Sequence, residues 1–349
     1  MRIASVGTAF PKNYYSQEAL SANLKKYWAK RHHNLERLDQ LHQNVLVGGR
    51  HLALPIDEYL KLDSFSDSND AFIRVAVDVG AEAVQNTLEP LGMTLRDVDH
   101  VFFMSTTGIA TPSIDARIFN RLGVRSDIKR TPVFGLGCVA GAVGITRAAD
   151  YVRAFPDQMA LVLSVELCSL TLQRKDLSIP NIIASGLFGD AAAAVLVVGA
   201  ELEPSGPSVV ATRSIFYPDT ERVMGWDIKQ EGFQVVLSAD IPNLVKGVVR
   251  EDVDNFLEAQ GLSLSDIETF VCHPGGPKVL EAFQQALEIE DDALSITWDS
   301  LKRVGNVSSA SVLTVLGETL RSRSPAPGSY GILMAMGPGF CSELVLLQW

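Results

Sequence analysis

The chain has 349 residues, of which 47% are hydrophobic and 20% are charged, and its net charge is −11. This length and hydrophobic fraction are enough for a large buried core. The acidic balance argues against nucleic acid as a general partner, because phosphate binding rests on clustered Lys and Arg side chains. No signal peptide is visible at the N-terminus, and no window approaches the roughly 18 apolar residues of a membrane span.

Short apolar runs alternate with amphipathic stretches along the chain, which predicts an α/β protein. A basic stretch at residues 25–37 comes first, and we interpret it either as a solvated helix face or as a docking site for an anionic cofactor. The predicted strands that follow are 100–104, 160–165, 192–198, 269–272 and 331–336. The predicted helices are 70–88, 138–155, 241–260, 277–287 and 308–320.

A weak internal repeat relates residues 93–103 to residues 262–272. Both copies begin with a helix-start pattern of the form [ST]-x-x-[DE] and continue into an apolar strand. The repeat predicts two similar halves, residues 1–205 and 206–349. They would meet at segment 201–208, whose Gly and Pro residues favour a linker.

The cysteines lie in apolar or glycine-rich sequence and show no CxxC pairing. They are Cys138, Cys168, Cys272 and Cys341. Disulfides and a zinc site are therefore not predicted, and neither is any other metal. A reducing cytoplasm is the expected location.

Cys138 is the candidate nucleophile, because a glycine turn precedes it and a predicted helix begins with it. A helix N-terminus carries partial positive charge and favours the thiolate form of a cysteine. One alternative is an inert buried cysteine. Another is a dinucleotide-binding loop, since Gly135, Gly137 and Gly141 come close to a glycine fingerprint, although that motif usually opens a domain.

His273 and Asn306 are candidate partners of Cys138. His273 follows predicted strand 269–272 and begins a rigid turn of two prolines and two glycines, where an imidazole could pair with a thiolate. Asn306 precedes a predicted helix, either as a turn or cap residue or as an amide donor to an oxyanion. Cys, His and Asn in this order also occur in papain-like cysteine proteases, but the apolar, glycine-rich surroundings of Cys138 do not match that family.

Five segments, in order, resemble the type III polyketide synthases, the chalcone synthase family. They are GLGCVAGA, SGLFGDAAAA, HPGGPKVLEA, GNVSSASVL and MGPGF. The segments GRHLALP, MGWD and CSELVLLQW are most similar to bacterial alkylpyrone and alkylresorcinol synthases. The resemblance implies an α/β thiolase fold with five layers, αβαβα, built from two similar halves. It also implies a homodimeric acyltransferase that uses acyl-CoA and malonyl-CoA and binds no permanent cofactor.

The resemblance also implies residue roles. Cys138, His273 and Asn306 would form a catalytic triad, and Phe188 would be an aromatic gatekeeper between the coenzyme A tunnel and an inner cavity. Val235 stands where the family has a second gatekeeper phenylalanine, and Trp226 stands where plant members have glycine. Further implied cavity positions are Thr106, Thr107, Cys168, Thr171, Ser308, Gly337 and Gly339.

Two other sets of contacts are implied by the same resemblance. Thr111 and Pro112 correspond to a loop that reaches into the partner subunit's cavity. Arg37 matches a basic position that contacts coenzyme A, and Lys278 is a substitute for the others. Gly275 and Gly276 complete the implied coenzyme A contacts.

The predicted reaction is a decarboxylative Claisen condensation of a medium- to long-chain fatty acyl-CoA with malonyl-CoA, followed by cyclisation to an alkylpyrone or alkylresorcinol. One alternative is a single-condensation enzyme like ketoacyl synthase III. Another is a non-catalytic binding member of the fold. Phe188 and the GPG segment favour the polyketide interpretation, and the intact triad argues against the binding protein.

Overall fold

The structure is a computed structural model that describes residues 1–28, 35–202, 205–323 and 325–349. Parts of the basic stretch 25–37 and of the linker 201–208 lie outside the described residues. The helices are α1 Gln17–Trp28, α2 Leu35–Asn44, α3 Phe65–Leu88, α4 Ile114–Leu122, α5 Ala140–Ala154, α6 Ile179–Leu187, α7 Ile241–Glu258, α8 Pro277–Leu287, α9 Ser295–Val304 and α10 Ser309–Ser322. The strands are β1 Arg2–Ala9, β2 Asn13–Ser16, β3 Gly49–Leu52, β4 His100–Met104, β5 Lys129–Val133, β6 Met159–Leu167, β7 Asp190–Val198, β8 Ser208–Phe216, β9 Met224–Lys229, β10 Gly232–Leu237, β11 Ile267–Cys272, β12 Tyr330–Gly337 and β13 Cys341–Gln348.

Two similar groups of strands form the sheet. The first has the order β5-β4-β6-β7-β1, in which β4 pairs in parallel with both β5 and β6. The second has the order β11-β12-β13-β8, in which β11 and β12 are parallel. The groups meet where Arg2 pairs with Ser208, so that β1 and β8 are adjacent. Two short pairs, β2-β3 and β9-β10, lie apart from this sheet.

Most strands of both groups are buried on two faces, which explains why they appear in the sequence as continuous apolar runs, whereas β5 and β8 are partly exposed. Along β7, Ala191, Ala193 and Val195 face a central cluster, whereas Ala192 and Ala194 face an outer one. Side chains alternate along a strand, so every residue of such a strand contacts a helical layer.

Helices fill the space between and outside the strand groups. The central layer contains α5 and α10, whose apolar side chains pack with strands of both halves. A Cβ at Gly141 of α5 would overlap the carbonyl oxygen of Ser309, so glycine permits this close approach. The outer layers are α3 with α4 on one half and α7 with α8 on the other. The result is the five-layered αβαβα thiolase-like arrangement that the resemblance implies.

The predicted elements fall on observed ones, with small shifts at their ends. Predicted helix 138–155 is α5 preceded by a 3-10 turn, Gly137–Val139, and predicted helix 308–320 is α10. The internal repeat is also present, because Thr94 with Asp97 and Ser263 with Asp266 form equivalent capping boxes ahead of β4 and β11. Among the described residues, no helix is long and apolar enough to span a membrane.

Candidate active site

Cys138 lies in the 3-10 turn that leads into α5, and its residue surface is 8% exposed. Gly137 before it has a φ of +53°, in the left-handed region that favours glycine. A Cβ on Gly137 would lie 2.5 Å from Cδ of Pro338, and one on Gly337 would lie 2.7 Å from the backbone nitrogen of Val139. The end of β12 therefore packs directly against the turn of the cysteine.

His273 follows β11, and its backbone is fixed on both sides. Its N–H donates to the carbonyl oxygen of Met334 at 2.9 Å, and its carbonyl oxygen accepts from the N–H of Gly275 at 2.9 Å. The ring is buried, and Nδ1 has no hydrogen-bond partner in the described part of the chain. Burial lowers the pKa of His273 to about 3.

Asn306 lies between α9 and α10 and is also buried. Its Oδ1 accepts from the backbone N–H of Ser308 at 2.8 Å, and its Nδ2 donates to the carbonyl oxygen of Gly275 at 3.4 Å. Ser308 has a φ of +50°, and its Oγ accepts from the thiol of Cys138 at 3.7 Å. The segment 306–308 therefore connects the turn after His273 to the cysteine.

The three predicted triad residues line one cavity of about 250 Å³, which we call the outer cavity. Phe188 lines it as well, and so do three of the four predicted coenzyme A contacts, namely Gly275, Gly276 and Lys278. The fourth, Arg37, lies on the exposed side of α2, one turn before Leu41 of the outer-cavity wall.

A second cavity of about 90 Å³, the inner cavity, also has Phe188 in its wall. Val235 and Trp226, which pair across the β9-β10 hairpin, line it together with Cys168 and Thr171. The remaining wall is mostly apolar and includes Leu20, Leu24, Trp28, Leu52, Ile56 and Tyr59.

The backbone around Phe188 is hydrogen-bonded to that of Asn306. The N–H of Asn306 donates to the carbonyl oxygen of Leu187 at 2.9 Å, and the N–H of Gly189 donates to the carbonyl oxygen of Asn306 at 2.9 Å. A residue in the wall of both cavities is thus attached to a candidate oxyanion donor.

Other predicted site residues lie elsewhere. Thr106 and Thr107 are not in the walls of the two cavities, because their hydroxyls donate to the buried carboxylate of Glu166 at 3.2 and 2.8 Å. A Cβ on Gly339 would contact Phe216 and Cys341. Thr111 and Pro112 line an open groove of about 900 Å³ that shares no lining residue with either cavity.

The protonation states differ from the sequence-based expectation of a thiolate at the helix start. Burial raises the pKa of the Cys138 thiol to about 12, although hydrogen bonds with Ser308 and Asn306 oppose this, and Glu166 adds to it. Because burial also lowers the pKa of His273, both groups are neutral at pH 7. Because burial penalises either charge alone, the thiolate requires proton transfer to a nearby base such as His273.

Comparison of the sequence with models of known protein families identifies the family of this chain. The family model described as "Chalcone and stilbene synthases, N-terminal domain" matches residues 1–202, and that described as "Chalcone and stilbene synthases, C-terminal domain" matches residues 208–349. The chain is a type III polyketide synthase. It is therefore an acyltransferase, as the resemblance implied.

Several bacterial proteins are similar to this synthase. It is 48% identical to a 1,3,6,8-tetrahydroxynaphthalene synthase of Streptomyces peucetius over 99% of this chain and 93% of the relative. It is 36% identical to a putative chalcone synthase of Bacillus subtilis, over 99% and 98% of the two chains. The crystal structure of the 1,3,6,8-tetrahydroxynaphthalene synthase of Streptomyces coelicolor A3(2) superimposes with a TM-score of 0.95 at 28% identity, covering 100% and 99% of the chains.

Two buried polar residues of the synthase were missed in the sequence. Glu166 lies in β6 and accepts hydrogen bonds from both threonines, and burial raises its pKa. Arg50 lies in β3 and lines the inner cavity. The signal for Glu166 was available, since a carboxylate inside an apolar strand is rarely buried without a partner.

Buried histidines make the stability of the synthase depend on pH. Burial lowers the pKa of His42 from 6.5 to about 4. Between these two pH values the histidine is protonated in the unfolded chain but neutral in the folded chain. This contribution to stability is present above pH 6.5 and is lost as the pH falls toward 4. We expect the unfolding free energy of the wild type to fall more steeply than that of His42→Gln, by up to about 1.4 kcal/mol per pH unit.

Urea unfolding at pH 7.5, 6.5, 5.5 and 4.5 measures this difference. The variant is the necessary control, because burial also raises the pKa of Asp190 to about 6. That carboxyl increases the stability of the folded state as the pH falls, and it does so equally in the wild type and in the variant. Equal slopes for the wild type and His42→Gln would contradict the prediction.

Proposed function

We propose that this synthase loads an acyl group from acyl-CoA onto Cys138 and extends it repeatedly with malonyl-CoA. The observation that carries the proposal is the position of Phe188, in the wall of the cavity that holds Cys138, His273 and Asn306 and in the wall of a second cavity behind it. A chain attached to Cys138 needs such a second space if it grows beyond one condensation. A ketoacyl synthase III-like enzyme, which condenses once, does not.

Loading begins with transfer of the Cys138 proton to His273. The thiolate attacks the thioester carbonyl, a new S–C bond forms, and the coenzyme A thiolate leaves and takes up the proton. The N–H of the imidazolium is the proposed donor to the oxyanion of this step.

Extension uses His273 again, together with Asn306. Malonyl-CoA in the outer cavity loses CO₂ beside Phe188, and the electron pair of the broken C–C bond forms an enolate. His273 and Asn306 donate hydrogen bonds to the enolate oxygen. These bonds stabilise the negative charge that develops on that oxygen in a site with little water. The enolate carbon attacks the Cys138 thioester, and the C–S bond to Cys138 breaks as the new C–C bond forms. The lengthened chain, now on coenzyme A, is transferred back to the cysteine with release of free coenzyme A. These steps call for coenzyme A thioesters as substrates and for no permanently bound cofactor.

For the product we propose first a compact, polyhydroxylated aromatic. This is supported by the names of relatives, which include tetrahydroxynaphthalene synthases and, at 31% identity, a phloroglucinol synthase of Pseudomonas fluorescens. It is also supported by an inner cavity of about 90 Å³ that Trp226 helps to close. An alkylpyrone or alkylresorcinol from a medium- to long-chain fatty acyl-CoA is the second candidate, supported by the apolar wall and by the small side chains of Cys168 and Val235.

One experiment separates these candidates. The purified synthase is given malonyl-CoA alone, or malonyl-CoA with starters from acetyl-CoA to palmitoyl-CoA, and products are identified by mass spectrometry. Aromatic products with malonyl-CoA alone support the first candidate, and alkylpyrones whose yield rises with starter length support the second. Products with one malonyl unit per starter would contradict repeated extension.

Cys168→Phe is expected to shorten the longest starter that the synthase extends, because phenylalanine would fill part of the inner cavity. Burying each methylene of an acyl tail is worth roughly 0.8 kcal/mol, or about fourfold in affinity, so the loss should grow with chain length. Relative kcat/KM values across a starter series give the measurement. Cys341→Ser, outside both cavities, is the control, and an unchanged length profile in Cys168→Phe would contradict the prediction.

We also propose a homodimer that buries the groove at Thr111 and Pro112. Ile109 and Phe134 in its wall are 47% and 50% exposed, and exposed apolar side chains that share one groove are typical of a protein–protein contact. Sedimentation velocity giving the mass of one chain would contradict this.

The four free cysteines support a cytoplasmic location, and recovery of the protein from an oxidising compartment would oppose it.

The division at residues 205 and 206 is retained as a proposal. The first half carries the nucleophile, and the second carries His273 and Asn306. Halves expressed as separate chains should purify together if each is a folding unit, and failure to associate would count against this boundary.

A further inference from the structure

Arg50 is a buried arginine in the wall of the inner cavity, and it is only 3% exposed. Its stem packs where Gly189 and Gly305 leave space, since a Cβ at either glycine would contact it. Its Nη1 donates a hydrogen bond to the carbonyl oxygen of Phe188 at 2.6 Å. The guanidinium therefore lies directly beside the residue that separates the two cavities.

Most of the hydrogen-bonding capacity of this guanidinium is unused. Its Nε is buried without an acceptor, and within the described residues the Phe188 oxygen is its one partner. Asp190 is the main opposing charge felt by Arg50, but its carboxylate already accepts from the N–H of Ala53 at 2.6 Å and from the N–H of Ser169 at 2.8 Å. Burial lowers the pKa of Arg50 to about 10, so it stays positively charged at pH 7.

A second arginine in the same wall shows what full pairing looks like. Arg174 donates to the carbonyl oxygens of Leu60 and Leu62 and forms an ion pair with Asp63 at 3.1 Å. Burying a guanidinium without such partners is costly, because the charge loses its hydration and gains little in return. A ligand that supplies acceptors in the inner cavity would remove this cost.

We propose that Arg50 is a binding site for the keto and enolate oxygens of the growing β-polyketone chain. This rests on the proposed function, since each malonyl extension adds one carbonyl oxygen two carbons from the last. A β-diketone readily loses a proton to give an enolate, whose oxygens accept strong, charge-assisted hydrogen bonds from a guanidinium. A saturated alkyl tail offers no acceptor. Arg50 would thus make the inner cavity selective for oxygen-bearing intermediates.

The test compares two starters of equal carbon number, 3-oxohexanoyl-CoA and hexanoyl-CoA. Loading on Cys138 is measured by intact-protein mass spectrometry, and the rate of the first extension with malonyl-CoA is measured for each loaded enzyme. The wild type should extend the 3-oxo starter faster. In Arg50→Met the ratio of the two rates should fall roughly ten- to a hundredfold, the usual range for losing a hydrogen bond to a charged group.

Two further variants control for the contact with Phe188. Arg50→Gln keeps a donor toward the Phe188 oxygen but removes the charge, so its ratio should also fall, and it replaces the Met variant if that protein does not fold. Arg174→Met, in the same wall, should keep the wild-type ratio even if both rates change. Equal slowing of both starters in the Arg50 variants, or no preference in the wild type, would overturn the proposal and leave Arg50 as a positioning residue for Phe188. Failure of both starters to load on the wild type would instead contradict the proposed function.

Discussion

Cys138→Ala should abolish acyl loading and, with it, every later condensation. The variant removes the thiol that forms the S–C bond, and no other cysteine shares the outer cavity with His273 and Asn306 among its lining residues. The fold should persist, because alanine is no larger than cysteine and the side-chain hydrogen bonds lost are only those with Ser308, at 3.7 Å, and with Asn306. Intact-protein mass spectrometry after incubation with acyl-CoA gives the measurement, and circular dichroism reports the fold.

Cys341→Ser provides the matched control. Cys341 is a partly exposed free cysteine that lies outside both cavities, so this variant should load as the wild type does. Loading of Cys138→Ala at wild-type stoichiometry would show that another residue is the nucleophile.

Asn306→Ala should slow malonyl-CoA decarboxylation by about 10²–10³, the usual effect of removing one oxyanion donor. Acyl loading should persist, because Cys138 and His273 remain. His273→Ala should impair both steps, since it removes the proton acceptor for the thiol and a second donor to the enolate. Carbon dioxide release from labelled malonyl-CoA and acyl loading are measured on the same samples.

The structure supplies a sharper control for this asparagine. Oδ1 of Asn306 accepts from the backbone of Ser308, so an alanine could act by disturbing that segment. Asn306→Asp keeps the acceptor and the shape but loses the Nδ2 donor, and it should show the same selective loss of decarboxylation. If either variant lost loading and decarboxylation equally, the asparagine would be structural.

The sequence predicted best those elements whose burial leaves a pattern. Residues 100–104 coincide with β4 because that strand is apolar along its length, and Cys138 and His273 stood out because glycine turns fix the backbone beside them. The β9-β10 hairpin was not predicted, since its residues are mostly half-exposed and alternate weakly. The direction of the Thr106 hydroxyl could not be predicted either, because it depends on Glu166, sixty positions away in the chain.

The backbone bridge between residues 187–189 and Asn306 has a consequence for engineering. Phe188 separates the two cavities, and the Asn306 amide is proposed to stabilise the enolate. Both residues belong to one hydrogen-bonded backbone segment, so a shift of Phe188 by a few tenths of an ångström also moves Asn306. Attempts to widen the passage by backbone changes near Phe188 will therefore alter the decarboxylation rate along with chain length. Substitutions on the far wall, on the β9-β10 hairpin, reshape the growing product while leaving that backbone segment alone.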